Sequence, residues 1–251
     1  MARTSFIAAA ILALSTSVLG DLQTCGPAQY DPAQYVCYEN QFLCPITAGE
    51  PLSVCGGACY SKFQYTCTNG ALALLPPVPQ GTPFILTASN PTLSIDGQPI
   101  NAGFGKWLIG GTTQSYCPVE QVGASCPPGN ITAIYAGAGD GAAMDVIVPG
   151  GQQVYLDPFW SVAYTQAHSA YVPSGSIRTG LAAYAGGGFI NLNGNGWGWV
   201  ACPPRASGPA GPQWGLVGRN ATNAENLTGC TPVNLKVNLL PVGAVGAWQY
   251  S

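Results

Sequence analysis

Seven aromatic side chains crowd one short stretch of the chain: Tyr30, Tyr35, Tyr38, Phe42, Tyr60, Phe63 and Tyr65. An exposed ring covers the apolar C–H face of a sugar without needing charge, and amides such as those of Gln34 and Gln64 donate to and accept from hydroxyls. If each of two or three rings removes about 60 Å2 of apolar area from water, the gain is roughly 1.5 kcal/mol per ring. The total of about 3–5 kcal/mol corresponds to a millimolar-range affinity. That suffices on a polymer, where neighbouring sites supply avidity. The same rings could instead be the core of a cysteine-rich knot.

Cysteines must position these rings. Six lie between Cys25 and Cys67, and they belong to an internal repeat. The segment Cys25–Cys37 aligns without a gap on Cys55–Cys67, at an offset of 30 residues. The pairs Cys25/Cys55, Gly26/Gly56, Ala28/Ala58, Tyr30/Tyr60, Gln34/Gln64, Tyr35/Tyr65 and Cys37/Cys67 are identical. Equivalent cysteines should take equivalent partners, so the repeat predicts Cys25–Cys37 and Cys55–Cys67, leaving Cys44–Cys59 to bridge the two halves. Six cysteines allow about fifteen pairings, so spacing alone would not choose this one. A unit this small builds little core, and its bridges, worth roughly 2–4 kcal/mol each, must hold it together.

The compartment follows from the ends and the composition. Arg3 and the apolar run Phe6–Leu14 read as a secretory signal, with cleavage expected after Gly20. Ten cysteines, an even number, then read as disulfides of an exported protein. Three sequons, at Asn130, Asn220 and Asn226, point to N-glycosylation. Without Arg3 the chain has six basic and ten acidic residues, a net charge of about −4. No basic patch is left to neutralise phosphates, which argues against nucleic acid and anionic membranes as partners. No later run reaches the roughly 18 apolar residues of a membrane span, and no hydrophobic tail suggests a lipid anchor. A soluble, secreted or wall-located protein is expected.

The proline-rich run Leu75–Pro83 reads as a semi-rigid linker between residues 21–74 and residues 84–251. The second part reads as short strands: Phe84–Thr87, Lys106–Ile109, Met144–Val148, Gln153–Leu156, Val162–Thr165, Trp197–Val200 and Leu235–Leu239. Turn formers separate them at Asp96-Gly97, Pro149–Gly151, Asp157-Pro158 and Asn193–Gly196. The chain is therefore expected to be mainly β: a small disulfide-rich duplicated module followed by an all-β sandwich or barrel, with a trefoil as a variant. Cys117–Cys126 would close a small loop, and Cys202–Cys230 a late one.

Catalytic chemistry is poorly supported. A glycosidase needs two carboxylates flanking one bond. Asp96, Glu120, Asp140, Asp145, Asp157 and Glu225 are present, but no pair sits in a hydrolase signature. His168, Ser169 and Asp157 could be imagined as a triad, yet no G-x-S-x-G elbow accompanies them. One histidine with scattered carboxylates makes a poor metal set, so no metal or cofactor is expected. Trp107 and Trp197-Gly-Trp199 could form a second sugar platform, but core packing suits them better.

Two resemblances sharpen this reading. The run Tyr30–Tyr38, then Phe42–Ile46, Cys55–Tyr60 and Gln64–Cys67, resembles the family-52 carbohydrate-binding module attached to fungal endo-1,3-β-glucanases. That resemblance implies binding of β-1,3-glucan. Tyr116–Pro118, Cys126–Asn130, Asp145–Pro158 and Tyr164–Pro173 are similar to fungal phialide-type cell-wall proteins, some named IgE-binding allergens. This second resemblance implies a wall or secreted role and brings no catalytic residues. A polysaccharide-binding protein is the reading that results. A β-glucan hydrolase and a secreted effector or allergen stand as its alternatives.

Overall fold

The computed structural model describes residues 21–137, 140–195, 198–204 and 213–251. The expected signal peptide, residues 1–20, and Trp197 of the expected tryptophan platform lie outside the described residues.

Each repeat of the first module is two consecutive hairpins. In the first repeat Gln23–Cys25 pairs with Ala28–Tyr30, and Tyr35–Tyr38 pairs with Phe42–Thr47. In the second, Ser53–Cys55 pairs with Ala58–Tyr60, and Tyr65–Thr68 with Ala71–Leu74. Gly26 and Gly56 both sit at φ 56°, and a side chain on Gly56 would strike the Gly70 carbonyl at 2.9 Å. Only glycine meets both conditions at that turn. Asp31 and Ser61 open the link between hairpins by accepting the N–H of Ala33 and Phe63. The repeats part company at the second turn. Asn69-Gly70 is a two-residue turn of left-handed residues, whereas Glu39–Gln41 inserts one residue more.

Disulfides join Cys25–Cys37, Cys44–Cys59 and Cys55–Cys67, the three pairs that the repeat predicts. Cys25, Cys44 and Cys55 are the only buried residues of 21–74. The cross-links themselves are this module's core.

The second unit is built on ten strands: β1 (Pro83–Ser89), β2 (Ile100–Gly103), β3 (Lys106–Ile109), β4 (Ile134–Ala136), β5 (Ala142–Met144), β6 (Gln152–Leu156), β7 (Val162–Tyr164), β8 (Trp199–Cys202), β9 (Trp214–Gly218) and β10 (Thr231–Leu239). Their order is β2-β3-β7-β6-β5-β4-β1-β10-β8-β9. β9 then returns to pair with β3, Leu108 opposite Gly215, so the path of strands closes as a barrel. Alternation along β1 and β10 sends Phe84, Leu86 and Ala88 inward beside Val233, Leu235 and Val237. The hairpin Leu181–Ala183/Phe189–Asn191 pushes Phe189 into the interior. That ring stacks on Trp199 at 5.8 Å and meets Trp107 at 5.6 Å and Phe84 at 6.3 Å. Trp107 and Trp199 are therefore core residues. Disulfides also join Cys117–Cys126 and Cys202–Cys230.

One expectation changes. Met144–Val148 is not one strand: β5 ends at Met144, and Asp145 leaves the ladder to accept the N–H of Gly246. The run 75–83, expected as a semi-rigid linker, is hydrogen-bonded to the barrel unit. Val78 is buried and donates to the Ala183 carbonyl, Pro76 accepts from Ala185, and Pro83 already belongs to β1. Among the described residues, no helix is long and apolar enough to cross a membrane.

Candidate functional site

Strand register sorts the aromatic residues into three groups. Residues directly opposite each other share a face of a hairpin, and side chains alternate along each strand. Gln23, Cys25, Ala28 and Tyr30 therefore share one face, and Tyr35, Cys37, Leu43 and Pro45 share another. The Cys25–Cys37 bridge joins these two faces, so Tyr30 and Tyr35 flank it. The same construction puts Tyr60 and Tyr65 beside Cys55–Cys67. Each repeat thus carries one tyrosine pair on its own cross-link.

Tyr38 and Phe42 form the second group. They lie opposite each other on the face that holds Cys44, the half-cystine shared with the other repeat. The Tyr38 hydroxyl donates to the Leu52 carbonyl at 2.9 Å, tying its ring to the segment between the repeats.

Phe63 stands alone. Its carbonyl accepts the N–H of Gly188 at 2.8 Å, and a side chain on Gly188 would meet the Phe63 Cβ at 2.9 Å. Phe63 is one of the candidate sugar-binding rings, and the structure sets its half-buried residue against the β-barrel unit, where two adjacent glycines, Gly187 and Gly188, let its backbone come close.

None of the seven rings is fully buried, and Tyr35 is 39% exposed. All four close ring pairs among the described residues lie in the barrel. The module's rings are thus not consumed by packing on one another. Among the described residues the hydroxyls of Tyr35, Tyr60 and Tyr65 have no hydrogen-bond partner, while Tyr30 donates to Gln23.

The two glutamines differ in a way that their shared repeat position conceals. The Gln34 amide donates to Asp31 at 3.2 Å. Ser61 replaces that aspartate in the second repeat, its hydroxyl taken by the N–H of Phe63. Gln64 faces a groove of about 700 Å3 between the two units, lined also by Leu52, Asn195 and Asn234.

In the barrel, burial raises Asp145 above the ordinary carboxylate range, opposed by its hydrogen bonds to Gly246 and Tyr135. Asp157 pairs with Lys106 and accepts the N–H groups of Phe159 and Ser161. His168 is an exposed residue on a left-handed turn. Asp157 is thus engaged in shaping its own turn. The sequon residues Asn130 and Asn226 are exposed, and Asn220 turns its side-chain oxygen to the N–H groups of Thr222 and Asn223.

Comparison with known proteins bears on this module. Residues 24–72 match a family model described as carbohydrate binding. A stretch of 89 residues is 44% identical to an uncharacterised secreted protein of Arthroderma benhamiae, covering 36% of this chain and 43% of that one. Another of 52 residues is 52% identical to the primary septum glucan endo-1,3-beta-D-glucosidase of Schizosaccharomyces pombe, covering 21% of this chain and 5% of that enzyme. The chain thus matches less than half the length of either relative. No solved structure matches it. The N-terminal module is a carbohydrate-binding domain.

Proposed function

We propose that this is a secreted polysaccharide-binding protein that holds β-1,3-glucan through its N-terminal module. In this reading residues 1–20 are a signal that is removed, residues 21–74 bind, residues 75–83 connect, and residues 84–251 form a structural or interaction unit. The observation that carries it is the lack of any buried ring among seven aromatics in a module cored by cystines. Tyr30, Tyr35, Tyr60 and Tyr65 offer ring faces, Tyr38 and Phe42 extend them, and Gln34 and Gln64 serve hydroxyls. The glucan specificity is supported by the septum glucosidase, which shares the aligned stretch. A cell-wall location follows from the ligand.

Co-sedimentation of the full chain with insoluble β-1,3-glucan tests the reading. Retention is expected, with Tyr35→Ala and Tyr65→Ala each weakening it about tenfold, the worth of one covered ring. Wild-type protein with intact disulfides that stays in the supernatant would refute it. Release of reducing sugar from laminarin would instead favour a hydrolase.

A further inference from the structure

Strand β9 alternates cleanly: Leu216 and Gly218 are buried, while Gly215 and Val217 point outward. The outer face at Gly215 carries no side chain, and a cleft of about 950 Å3 opens over it. A Cβ placed at Gly215 would meet nothing closer than Cys202, at 3.9 Å. Among the described residues, no neighbour fills the floor.

One wall is the turn from Asp157 to Ser161. The Asp157 carboxylate accepts the N–H of Phe159 at 2.8 Å and of Ser161 at 2.9 Å, and is fixed in turn by Lys106. Trp160 sits at φ 65°, a conformation that bulky side chains rarely adopt. Its N–H donates to the Asp157 carbonyl, and its own carbonyl accepts from Gly218, so the strained turn is pinned at both ends. The consequence is that Phe159 projects into solvent with 82% of its surface exposed. Trp160 packs against the barrel core, and Phe159 beside it is left free. A strained backbone that presents a free ring is the kind of arrangement found where a ligand is held.

The facing wall is made by Gln213 and the loop that carries Asn226, and the Cys202–Cys230 bridge anchors that loop to β8. No described lining side chain is charged. Among the described residues, a phosphate, a carboxylate or a cation would find no counter-charge in this lining. A sugar would find a ring face for its C–H surface and amides for its hydroxyls.

We propose that this cleft is a second saccharide site, on the barrel, separate from the tyrosine module. Its ligand is a neutral oligosaccharide segment laid across β9 against Phe159. Two sources share that chemistry: an external polysaccharide strand, and a glycan carried by Asn226.

The test uses the full glycosylated chain and its retention on insoluble β-1,3-glucan, together with its melting temperature. Phe159→Ala leaves the core untouched. Gly215→Leu fills the floor without strain. For an external strand, both variants weaken retention about tenfold in wild type and again in a Tyr35→Ala/Tyr65→Ala background, and Asn226→Gln does not. Retention sensitive to Phe159 but not to the tyrosines would uphold the cleft and sink the module reading. For a glycan on Asn226, Phe159→Ala lowers the melting temperature of the glycosylated protein but not of the Asn226→Gln form. If Phe159→Ala and Gly215→Leu change neither retention nor melting, the proposal is wrong.

Discussion

The N–H of Gly188 donates to the carbonyl of Phe63, and the glycine's missing side chain is what lets these two backbones meet. With the Val78–Ala183 and Ala185–Pro76 bonds beside it, this contact fastens the cystine module to the barrel.

Gly188→Ala should loosen that joint. The new methyl would lie 2.9 Å from both the Leu235 carbonyl and the Phe63 Cβ, neither of which is a flexible tip. A loss of about 1–3 kcal/mol is expected from such overpacking. Urea unfolding should show it, and Gly57→Ala, which meets nothing within 4 Å, should change stability by no more than about 0.5 kcal/mol.

Removing the bridge between the repeats should be worse. Cys44→Ala with Cys59→Ala deletes a link across 15 residues whose first member is fully buried. The expected cost is about 2–4 kcal/mol. Calorimetry should place the module's melting below that of the barrel in this variant. Co-melting with the wild-type profile would mean that the bridge is dispensable.

Phe189 takes part in three of the four close ring pairs among the described residues, stacked on Trp199 and near Trp107 and Phe84. Phe189→Ala should cost roughly 3–5 kcal/mol. Because the hairpin that carries it also receives the connector at Ala183 and Ala185, the module should detach at lower denaturant as well. Limited proteolysis between residues 75 and 83 would read that directly.

Asp145 gives a pH dependence with a definite sign. Burial holds its proton more tightly in the fold than the ordinary value of 3.8. Above that value the unfolded chain has released the proton while the native state still binds it, so this group's contribution falls as pH rises through the raised value. It is fully present only below the unfolded value. Asp145→Asn keeps an acceptor for Gly246 and removes the titration. Melting temperatures between pH 4 and 7 should decline less steeply in the variant than in wild type. Parallel curves would count against the assignment.

Much of the module is legible in the sequence because its structure is local. Cys25 and Cys55 sit in matching hairpins, so the repeat gives their partners. The β3 and β6 segments were equally plain, carried by Trp107, Leu108, Val154 and Tyr155. Ile134–Ala136, Leu181–Ala183 and Trp214–Gly218 were missed, since alanine and glycine give weak strand signals and long-range pairing supplies what propensity lacks. The position of Phe63 was illegible for a different reason. Its partner is the absence of a side chain more than a hundred residues away, and no local pattern announces that. Phe159 was passed over similarly: only the Asp157 turn and the bare floor at Gly215 give it meaning.

The return of β9 to β3 has a consequence beyond architecture. Proteins gathered along a polymer meet copies of themselves at high local density. A strand with unpaired N–H and C=O groups on its outer side then becomes a template on which neighbours can grow a fibre. Leu108 and Ile109, laid against Gly215 and Trp214, spend those groups inside the molecule. Crowding on a surface is thereby kept from turning into aggregation along these two edges.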